Sequence, residues 1–261
     1  MNKGISPEQE NLISPEMEER HHLVVGIHGG VGVGKTKLAE LMGKRCGLRR
    51  LEEDYRENPY LGKFYDNPAK WSYLSQSFFI KDAFKLMTQM SKNEPMVLDP
   101  TYYQHKEIYA WVQYHRMNWM EDWQYQAYLC LCEKLETIGT MPRPDIIVSV
   151  HAPIEIILRR IRRRAEEENR EFELKMLAEK PEYFEWMAHR VEQWARENSH
   201  NLPIIEVDSH EYDYVADPAD AFEVINHIQE EVDTYLGGRE DIVLPYTFAQ
   251  LPGKSLLEGV G

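Results

Sequence analysis

The sequence predicts an α/β fold in which a five-stranded parallel sheet lies between two layers of helices. Five short apolar runs recur along the chain, and stretches with helical spacing separate them. This alternation is typical of parallel sheets whose strands are connected by helices. The runs are almost continuously apolar, as expected when both faces of a sheet are covered. They span residues 23–28, 48–53, 96–99, 145–150 and 204–207.

The composition indicates a folded globular protein and narrows its function. Hydrophobic residues make up 43% of the 261 residues, which is enough for a substantial core. The net charge of −14 argues against a nucleic-acid or membrane partner, because a general surface for either needs a basic field. The three cysteines form no zinc or disulfide framework, and no signal peptide or membrane helix is evident. We therefore expect a cytoplasmic protein.

The domain organisation is expected to be simple. Residues 1–22 are a polar, acidic lead, and residues 23–236 form one domain without repeats or a convincing linker. Residues 237–261 contain two prolines and are expected to form an irregular tail.

One motif dominates the sequence, the pattern G-x-x-x-x-G-K-[ST] directly after the first apolar run. Glycines let successive backbone N–H groups face one anion, and the following helix N-terminus adds partial positive charge. Lys35 would reach the β- and γ-phosphates, and Thr36 would offer its hydroxyl to Mg²⁺. The motif predicts a nucleoside triphosphate site, with a plain glycine-rich turn as the alternative. Its residues are Gly29, Gly30, Val31, Gly32, Val33, Gly34, Lys35 and Thr36.

A carboxylate follows the second predicted strand. Because ligands collect at the carboxyl ends of parallel strands, Glu53 would face the phosphates across the crevice. It is therefore a candidate general base for a hydroxyl that attacks the γ-phosphoryl group. Glu52, Asp54 and Glu57 lie beside it, so a solvated acidic loop is the alternative.

Short motifs then follow in a distinctive order. The chain reads E-x-x-x-x-N-P-x-L from Glu53, F-Y-x-x-P-x-K-W from Phe64, and Gln76 five residues later. Over residues 24–220 this order resembles the deoxynucleoside kinases. The resemblance implies a P-loop kinase fold, a three-layer sandwich with an arginine-rich lid. Its later parts are Leu98-Asp99, Arg143-Pro144-Asp145, the arginine run from Arg159, and Tyr183-Phe184-Glu185-Trp186 before Trp194.

The resemblance implies a nucleoside site. Glu53 would accept the proton of the sugar 5′-hydroxyl, and Tyr65 would contact the 3′-hydroxyl. Gln76 would pair with the base, since an amide offers one donor and one acceptor group. Trp71 and Phe79 would form parts of the base pocket. For Trp71, a place in a core stripe at helical spacing is the alternative.

Five arginines occupy the six positions 159–164. Arg160 and Arg164 share one helix face. By resemblance they would form a lid on the donor phosphates, whose oxygens match guanidinium forks. A charged helix balanced by the following glutamates, or a nucleic-acid patch, is the alternative. Glu166 stands where relatives carry a second lid arginine, but Arg170 aligns as a lid residue and Glu173 as a carboxylate near the 3′-hydroxyl.

The chain departs from the family pattern after the third strand. Asp99, which would support the water shell of Mg²⁺, is followed by proline where relatives carry arginine. His105, Lys106 or an additional lid arginine could replace that arginine, and the sequence does not choose among them. His28 stands where many relatives have an acidic residue, and we interpret it as a satisfied strand-end residue.

These observations imply transfer of the γ-phosphoryl group of ATP, with Mg²⁺, to the 5′-hydroxyl of a deoxyribonucleoside. The resemblance also implies a homodimer, for which an aromatic helix over residues 109–131 offers an interface. Two alternatives stay open. A non-catalytic structural relative is favoured by Pro100 but opposed by the intact Lys35, Thr36 and Glu53. A thymidylate-like monophosphate kinase would not need Glu53 as a base.

Overall fold

The computed structural model describes residues 20–90, 93–137 and 143–245. Its centre is a parallel sheet of five strands: β2 (Val24–His28), β3 (Arg49–Glu52), β4 (Met96–Asp99), β5 (Ile146–His151) and β6 (Ile204–Asp208). Their order across the sheet is β3-β4-β2-β5-β6. The predicted α/β fold with a five-stranded parallel sheet is confirmed, and each strand ends within one residue of its predicted bounds.

Helices connect the strands and cover the sheet. A single 3₁₀ turn, Tyr55–Glu57, follows β3, and a π-helix, Gln104–Ala110, follows β4. The α-helices of the described residues are α1 (Lys35–Cys46), α2 (Leu61–Asp66), α3 (Pro68–Met87), α4 (Trp111–His115), α5 (Asp122–Thr137), α6 (Ile154–Glu167), α7 (Glu171–Glu179), α8 (Pro181–Asn198) and α9 (Pro218–Leu236).

Two long helices begin at signals that the sequence carries. The Asn67 side chain accepts the backbone N–H of Lys70 at the start of α3. The Asp217 side chain accepts the N–H of Ala219 at the start of α9. Both caps are followed by proline at the first helical position, where the missing N–H costs nothing. These caps fix the starts of the helices that follow β3 and β6.

The sheet is buried on both faces, which explains its continuous apolar runs. In β4, Met96 packs in a cluster with Ile80 of α3 and Tyr128 of α5. The next residue, Val97, belongs to the larger cluster that contains Leu38 of α1. Because successive side chains of a strand point to opposite faces, helices flank the sheet on both sides.

A second, two-stranded sheet joins the two ends of the described chain. Strand β1 (His21–His22) pairs in parallel with β7 (Ile242–Val243). The predicted domain bounds at residues 23 and 236 leave both strands outside, because two-residue strands are too short to show a periodic pattern. The remainder of the predicted N-terminal lead, residues 1–19, and of the predicted tail, residues 246–261, lies outside the described residues.

The prediction of one aromatic helix over residues 109–131 is wrong. The π-helix ends at Ala110, α4 ends at His115, and α5 begins only at Asp122. Asn118 lies between them with a φ of 53°, a left-handed conformation that no helix continues through. The aromatic composition gave no sign of this break, because asparagine interrupts a pattern less visibly than glycine or proline does.

The parallel sheet determines where a ligand can bind. All five strands have their carboxyl ends at one edge, and the segments after β2, β3, β4 and β6 meet there. In the described part of the chain, no helix combines the length and apolar character needed to cross a bilayer.

Candidate active site

A cavity of about 530 Å³ opens at the carboxyl edge of the sheet. Its walls come from the phosphate loop, the segments after β3 and β4, the lid helix α6 and the loop after β6. This volume falls in the range of small-molecule sites. The residues that line it include Lys35, Glu53, Asp99, Arg164 and Tyr214.

The phosphate loop has the backbone that its glycines permit. Gly32 and Gly34 have φ angles of 82° and 102°, in the left-handed region. A Cβ atom at Gly32 would lie 2.7 Å from Cγ1 of Ile161 in α6, and one at Gly34 would lie 2.6 Å from the Tyr214 hydroxyl. The lid helix and the loop after β6 therefore pack directly on the phosphate loop.

Five of the eight predicted phosphate-loop residues line the cavity, and three do not. The Gly29 N–H donates to Oε1 of Gln104 at 3.2 Å, and Gly30 accepts a 2.6 Å hydrogen bond from Nζ of Lys35. Val33 is buried in the core. These three residues contribute to the hydrogen bonds and packing of the loop and not to the cavity lining. The lining residues are Val31, Gly32, Gly34, Lys35 and Thr36.

Lys35 is a buried cation between carboxylates. Burial lowers the pKa of its ammonium to about 8, while Asp99 and Glu53 oppose the shift and Arg164 adds to it. An anion that enters the cavity would therefore stabilise the charged form of Lys35, because the attraction between opposite charges offsets the penalty of burial.

Two oxygen groups meet beside the phosphate loop. Asp99, which is 4% exposed, has the Thr36 side chain beside its carboxylate. Burial raises the pKa of Asp99, while the charge of Lys35 and the neighbouring Thr36 oppose that shift. Both side chains line the cavity.

Glu53 also lines the cavity and has a histidine partner. Its backbone N–H donates to the carbonyl of Asp99 at 3.1 Å, which anchors the residue to the end of β4. Its Oε2 lies 2.7 Å from Nε2 of His105, and neither side chain is more than 7% exposed. Lys106, the neighbouring candidate, instead donates to Glu136 at 2.9 Å. Of these two alternatives the structure brings His105 to Glu53.

Four of the five predicted nucleoside-binding residues line the same cavity. Gln76 is buried, and its Oε1 has no hydrogen-bond partner among the described residues. Phe79 lies on the same side of α3. Tyr65 packs against the ring of Phe172, and burial together with the charge of Glu173 raises its pKa. An amide, an aromatic ring, a phenol and a carboxylate thus line the cavity.

Trp71 does not line the cavity, which corrects its assignment to the base pocket. Its ring stacks on Tyr60 at 5.9 Å, with the ammonium of Lys63 4.8 Å from its centroid. The reason is helical geometry. Five residues of an α-helix turn through about 500°, so the side chains of Trp71 and Gln76 point about 140° apart. Phe79, three residues after Gln76, shares its face.

The lid arginines are bound within the protein. Arg160 donates to the Ser209 hydroxyl at 2.7 Å and to its carbonyl at 2.8 Å. Arg164 donates to both carboxylate oxygens of Glu173 at 2.8 Å. Arg170 donates to Glu173 at 3.2 Å, and also to Tyr55. All three line the cavity, so the predicted lid faces the phosphate loop.

Several lining residues were not predicted. Tyr214 follows β6, so its place at a strand end was the signal that could have identified it. Gln104 and Tyr109 line the cavity from the π-helix, whose period no simple pattern reveals. The others include Tyr55, Arg163 and Tyr183.

A comparison with models of protein families identifies the family of this chain. The family model described as deoxynucleoside kinase matches residues 25–233, which is most of the described fold. The chain belongs to the deoxynucleoside kinase family. Among similar members, the deoxyadenosine/deoxycytidine kinase of Bacillus subtilis is 28% identical over 215 residues, covering 80% of this chain and 95% of the relative. The deoxyguanosine kinase of the same organism is 27% identical over 214 residues, covering 79% and 96%.

Solved structures of deoxynucleoside kinases share this fold. The deoxyadenosine kinase of M. mycoides with bound dATP superimposes with a TM-score of 0.64, covering 80% of this chain and all of that one. The same enzyme with bound dCTP gives 0.63. Sequence identities are 20% and 19%, so this likeness concerns the fold.

Proposed function

We propose that this deoxynucleoside kinase transfers the γ-phosphoryl group of ATP to the 5′-hydroxyl of a deoxyribonucleoside. The observation that carries the proposal is the shared cavity. Its lining combines the phosphate loop, the lid arginines, Glu53, and the amide and aromatic side chains of α3, which supports a site for both substrates. The names of the relatives, which are kinases of deoxyadenosine, deoxycytidine and deoxyguanosine, support the same reaction.

The acceptor hydroxyl must lose its proton as it attacks. Glu53 lines the same cavity close to Lys35, and we propose that its carboxylate accepts that proton. The bond from the 5′-oxygen to the γ-phosphorus forms while the bond from that phosphorus to the β,γ-bridging oxygen breaks. The proton stays on Glu53 and ADP leaves with the electron pair.

Lys35, the phosphate loop and the lid would stabilise the negative charge on the transferring group. Lys35 is desolvated and lies close enough to Glu53 and Asp99 to interact with both. The N–H groups of the phosphate loop and the guanidinium of Arg164 would add donors to the transferring group. Such preorganised donors are worth most in a cavity from which water is excluded.

The residues present fit a magnesium ion. Among the described residues, no three His, Cys, Asp or Glu side chains cluster as a dedicated metal site. Mg²⁺ does not need one, since it retains waters and is held by one or two protein oxygens together with substrate phosphates. The hydroxyl of Thr36 and the carboxylate of Asp99 supply such oxygens next to the phosphate loop. When bound, Mg²⁺ would neutralise charge on the triphosphate.

One of the side chains proposed to hold the nucleoside has unused hydrogen-bonding capacity. Oε1 of Gln76 is buried without a partner among the described residues, so it can accept a hydrogen bond from a base. Tyr65 and Glu173 would contact the sugar 3′-hydroxyl. These contacts favour an unphosphorylated nucleoside, because a carboxylate at the acceptor position would repel a 5′-phosphate.

We also propose a cytoplasmic homodimer. Leu74 of α3 and Trp123 of α5 are exposed, and Tyr73 packs 5.9 Å from the Trp123 ring, so α3 and α5 present an apolar face. The free cysteines Cys46, Cys130 and Cys132 are consistent with a reducing compartment. Light scattering during gel filtration would measure the mass, and a monomer would contradict this assignment.

The reaction is tested with purified protein, Mg²⁺ and ATP labelled at the γ-phosphate. The four natural deoxynucleosides and their 5′-monophosphates serve as acceptors. We expect labelled 5′-monophosphate from at least one nucleoside. Label transferred only to the monophosphates would favour a monophosphate kinase, and no transfer to any acceptor would favour a non-catalytic relative.

A further inference from the structure

We propose that His105 is a positioning residue that holds Glu53 for proton transfer. The inference rests on the proposed function and adds a residue to it. Nε2 of His105 lies 2.7 Å from Oε2 of Glu53, and the histidine side chain is 2% exposed. A hydrogen bond that is shielded from water in this way fixes the rotation of a carboxylate.

The π-helix explains how the histidine reaches this position. Gln104 and His105 are its first two residues. Gln104 accepts the N–H of Gly29 in the phosphate loop and donates to the Tyr109 hydroxyl at 2.6 Å. His105 contacts Glu53. The first two residues of the π-helix therefore connect the phosphate loop to the Glu53 carboxylate, and π-helical turns occur often at functional sites.

Two aromatic rings fix the orientation of the imidazole. The ring of Phe79 stacks on it, with centroids 5.2 Å apart and planes inclined by 14°. The ring of Tyr109 meets its edge at 5.7 Å and 65°. Rotation of His105 about its side-chain bonds would lose both contacts, so Nε2 is directed at Glu53 by packing as well as by the hydrogen bond.

The hydrogen-bond partners assign the tautomer. The Glu53 carboxylate offers only acceptors, so Nε2 carries a proton and donates. Nδ1 is buried and has no partner among the described residues. A lone pair there needs no partner, whereas the N–H of an imidazolium would lack an acceptor. A neutral histidine fits both nitrogens.

This contact has a chemical consequence for Glu53. The donated hydrogen bond occupies Oε2 and leaves the lone pairs of Oε1 for the proton of the attacking hydroxyl. Other candidates for this role are engaged elsewhere, since Lys106 binds Glu136 and Arg164 binds Glu173. Pro100 has no donor at all. His105 therefore orients the base without sharing its proton.

The experiment compares two substitutions at this position. His105→Phe keeps an aromatic ring against Phe79 and removes the donor, whereas His105→Gln keeps an N–H at a similar distance from the backbone. We expect His105→Phe to lower kcat by about 10- to 100-fold with little change in nucleoside KM, and His105→Gln to recover part of the loss. His115→Phe, at an exposed histidine of α4 outside the cavity, is the matched control.

A double-mutant cycle with Glu53→Gln separates positioning from simple packing. If His105 acts through Glu53, His105→Phe costs little in the Glu53→Gln background. The proposal would be overturned if His105→Phe caused an equal loss of kcat in both backgrounds. It would also be overturned if the kcat of His105→Phe alone were within twofold of wild type. In either case the kinase activity itself would stand. Inactive wild-type protein would instead refute the proposed function, and this inference with it. Thermal unfolding and ATP-analogue affinity, expected to be unchanged, verify that each variant folds.

Discussion

Arg164 donates two 2.8 Å hydrogen bonds to the buried carboxylate of Glu173, so the lid helix is joined to the helix that follows it. The guanidinium proposed for the donor phosphates and the carboxylate proposed for the sugar thereby form one ion pair. A change in the position of either side chain therefore changes the hydrogen-bond partners available to the other.

Loss of the Arg164 guanidinium should impair the donor side and the acceptor side together. We expect Arg164→Met to lower kcat on the order of 100-fold, as for removal of one donor to a developing charge. The KM of both substrates should rise, since Glu173 then retains only Arg170. Steady-state kinetics with each substrate varied would measure this. Arg162→Met, on the exposed side of the same helix, is the control and should behave like wild type; equal effects of both would mean that helix charge alone matters.

The Glu53 carboxylate should be essential for the chemical step and dispensable for ATP binding. Glu53→Gln preserves size but removes the proton acceptor, so kcat should fall by about 100- to 10,000-fold. Calorimetry should give an ATP-analogue affinity close to that of wild type. Glu57→Gln, at an exposed position nearby, should have no effect. A small loss in Glu53→Gln would indicate an acceptor that is already ionised, such as a phosphate.

Gln76 and Trp71 should separate recognition from stability. Gln76→Leu leaves polar groups of the base unpaired, and KM for the nucleoside should rise about 10- to 100-fold. Trp71→Leu loses ring and cation contacts outside the cavity, which should lower the free energy of unfolding by about 1 to 2 kcal/mol with KM unchanged. Kinetics and urea unfolding of both variants test this; a raised KM in Trp71→Leu would place that ring in the base pocket after all.

His28 should make the fold sensitive to acid. Burial, assisted by the charges of Lys35 and Arg190, lowers its pKa from 6.5 to about 3. The unfolded chain therefore binds a proton below pH 6.5 that the folded chain rejects until about pH 3, so stability falls as the pH drops through that window. Between pH 6.5 and pH 5 this proton-binding difference lowers the free energy of unfolding by about 2 kcal/mol.

His28→Gln removes this proton-binding difference. Its free energy of unfolding should fall less between pH 6.5 and pH 5 than that of wild type, whatever its absolute stability. Urea unfolding at several pH values measures the slopes. His200→Gln, at an exposed histidine, should keep the slope of wild type. Parallel slopes for all three proteins would show that His28 does not govern acid sensitivity.

The sheet and the phosphate loop could be predicted because each depends on local chemistry. Continuous apolar runs report strands buried on both faces, and only glycine accepts the φ angles found at Gly32 and Gly34. The carboxyl ends of those strands then brought Glu53 and Asp99 to one edge without further information.

The rest depended on packing that sequence alone does not fix. Gln76 lines the cavity and Trp71 does not, because only one side of α3 faces the cavity. The angle between the two positions on a helix could have warned against assigning both to one pocket. The choice between His105 and Lys106 depends on the register of the π-helix, since adjacent helical residues point in different directions. No propensity predicts a π-helix from composition.

The parallel pairing of His21 with Ile242 has a practical consequence for protein engineering. The two extremities of the described fold are neighbours, so a short peptide bridge could join them while new ends are opened in a surface loop elsewhere. Such a circularly permuted kinase should keep its cavity, because neither β1 nor β7 contributes a residue to the cavity lining.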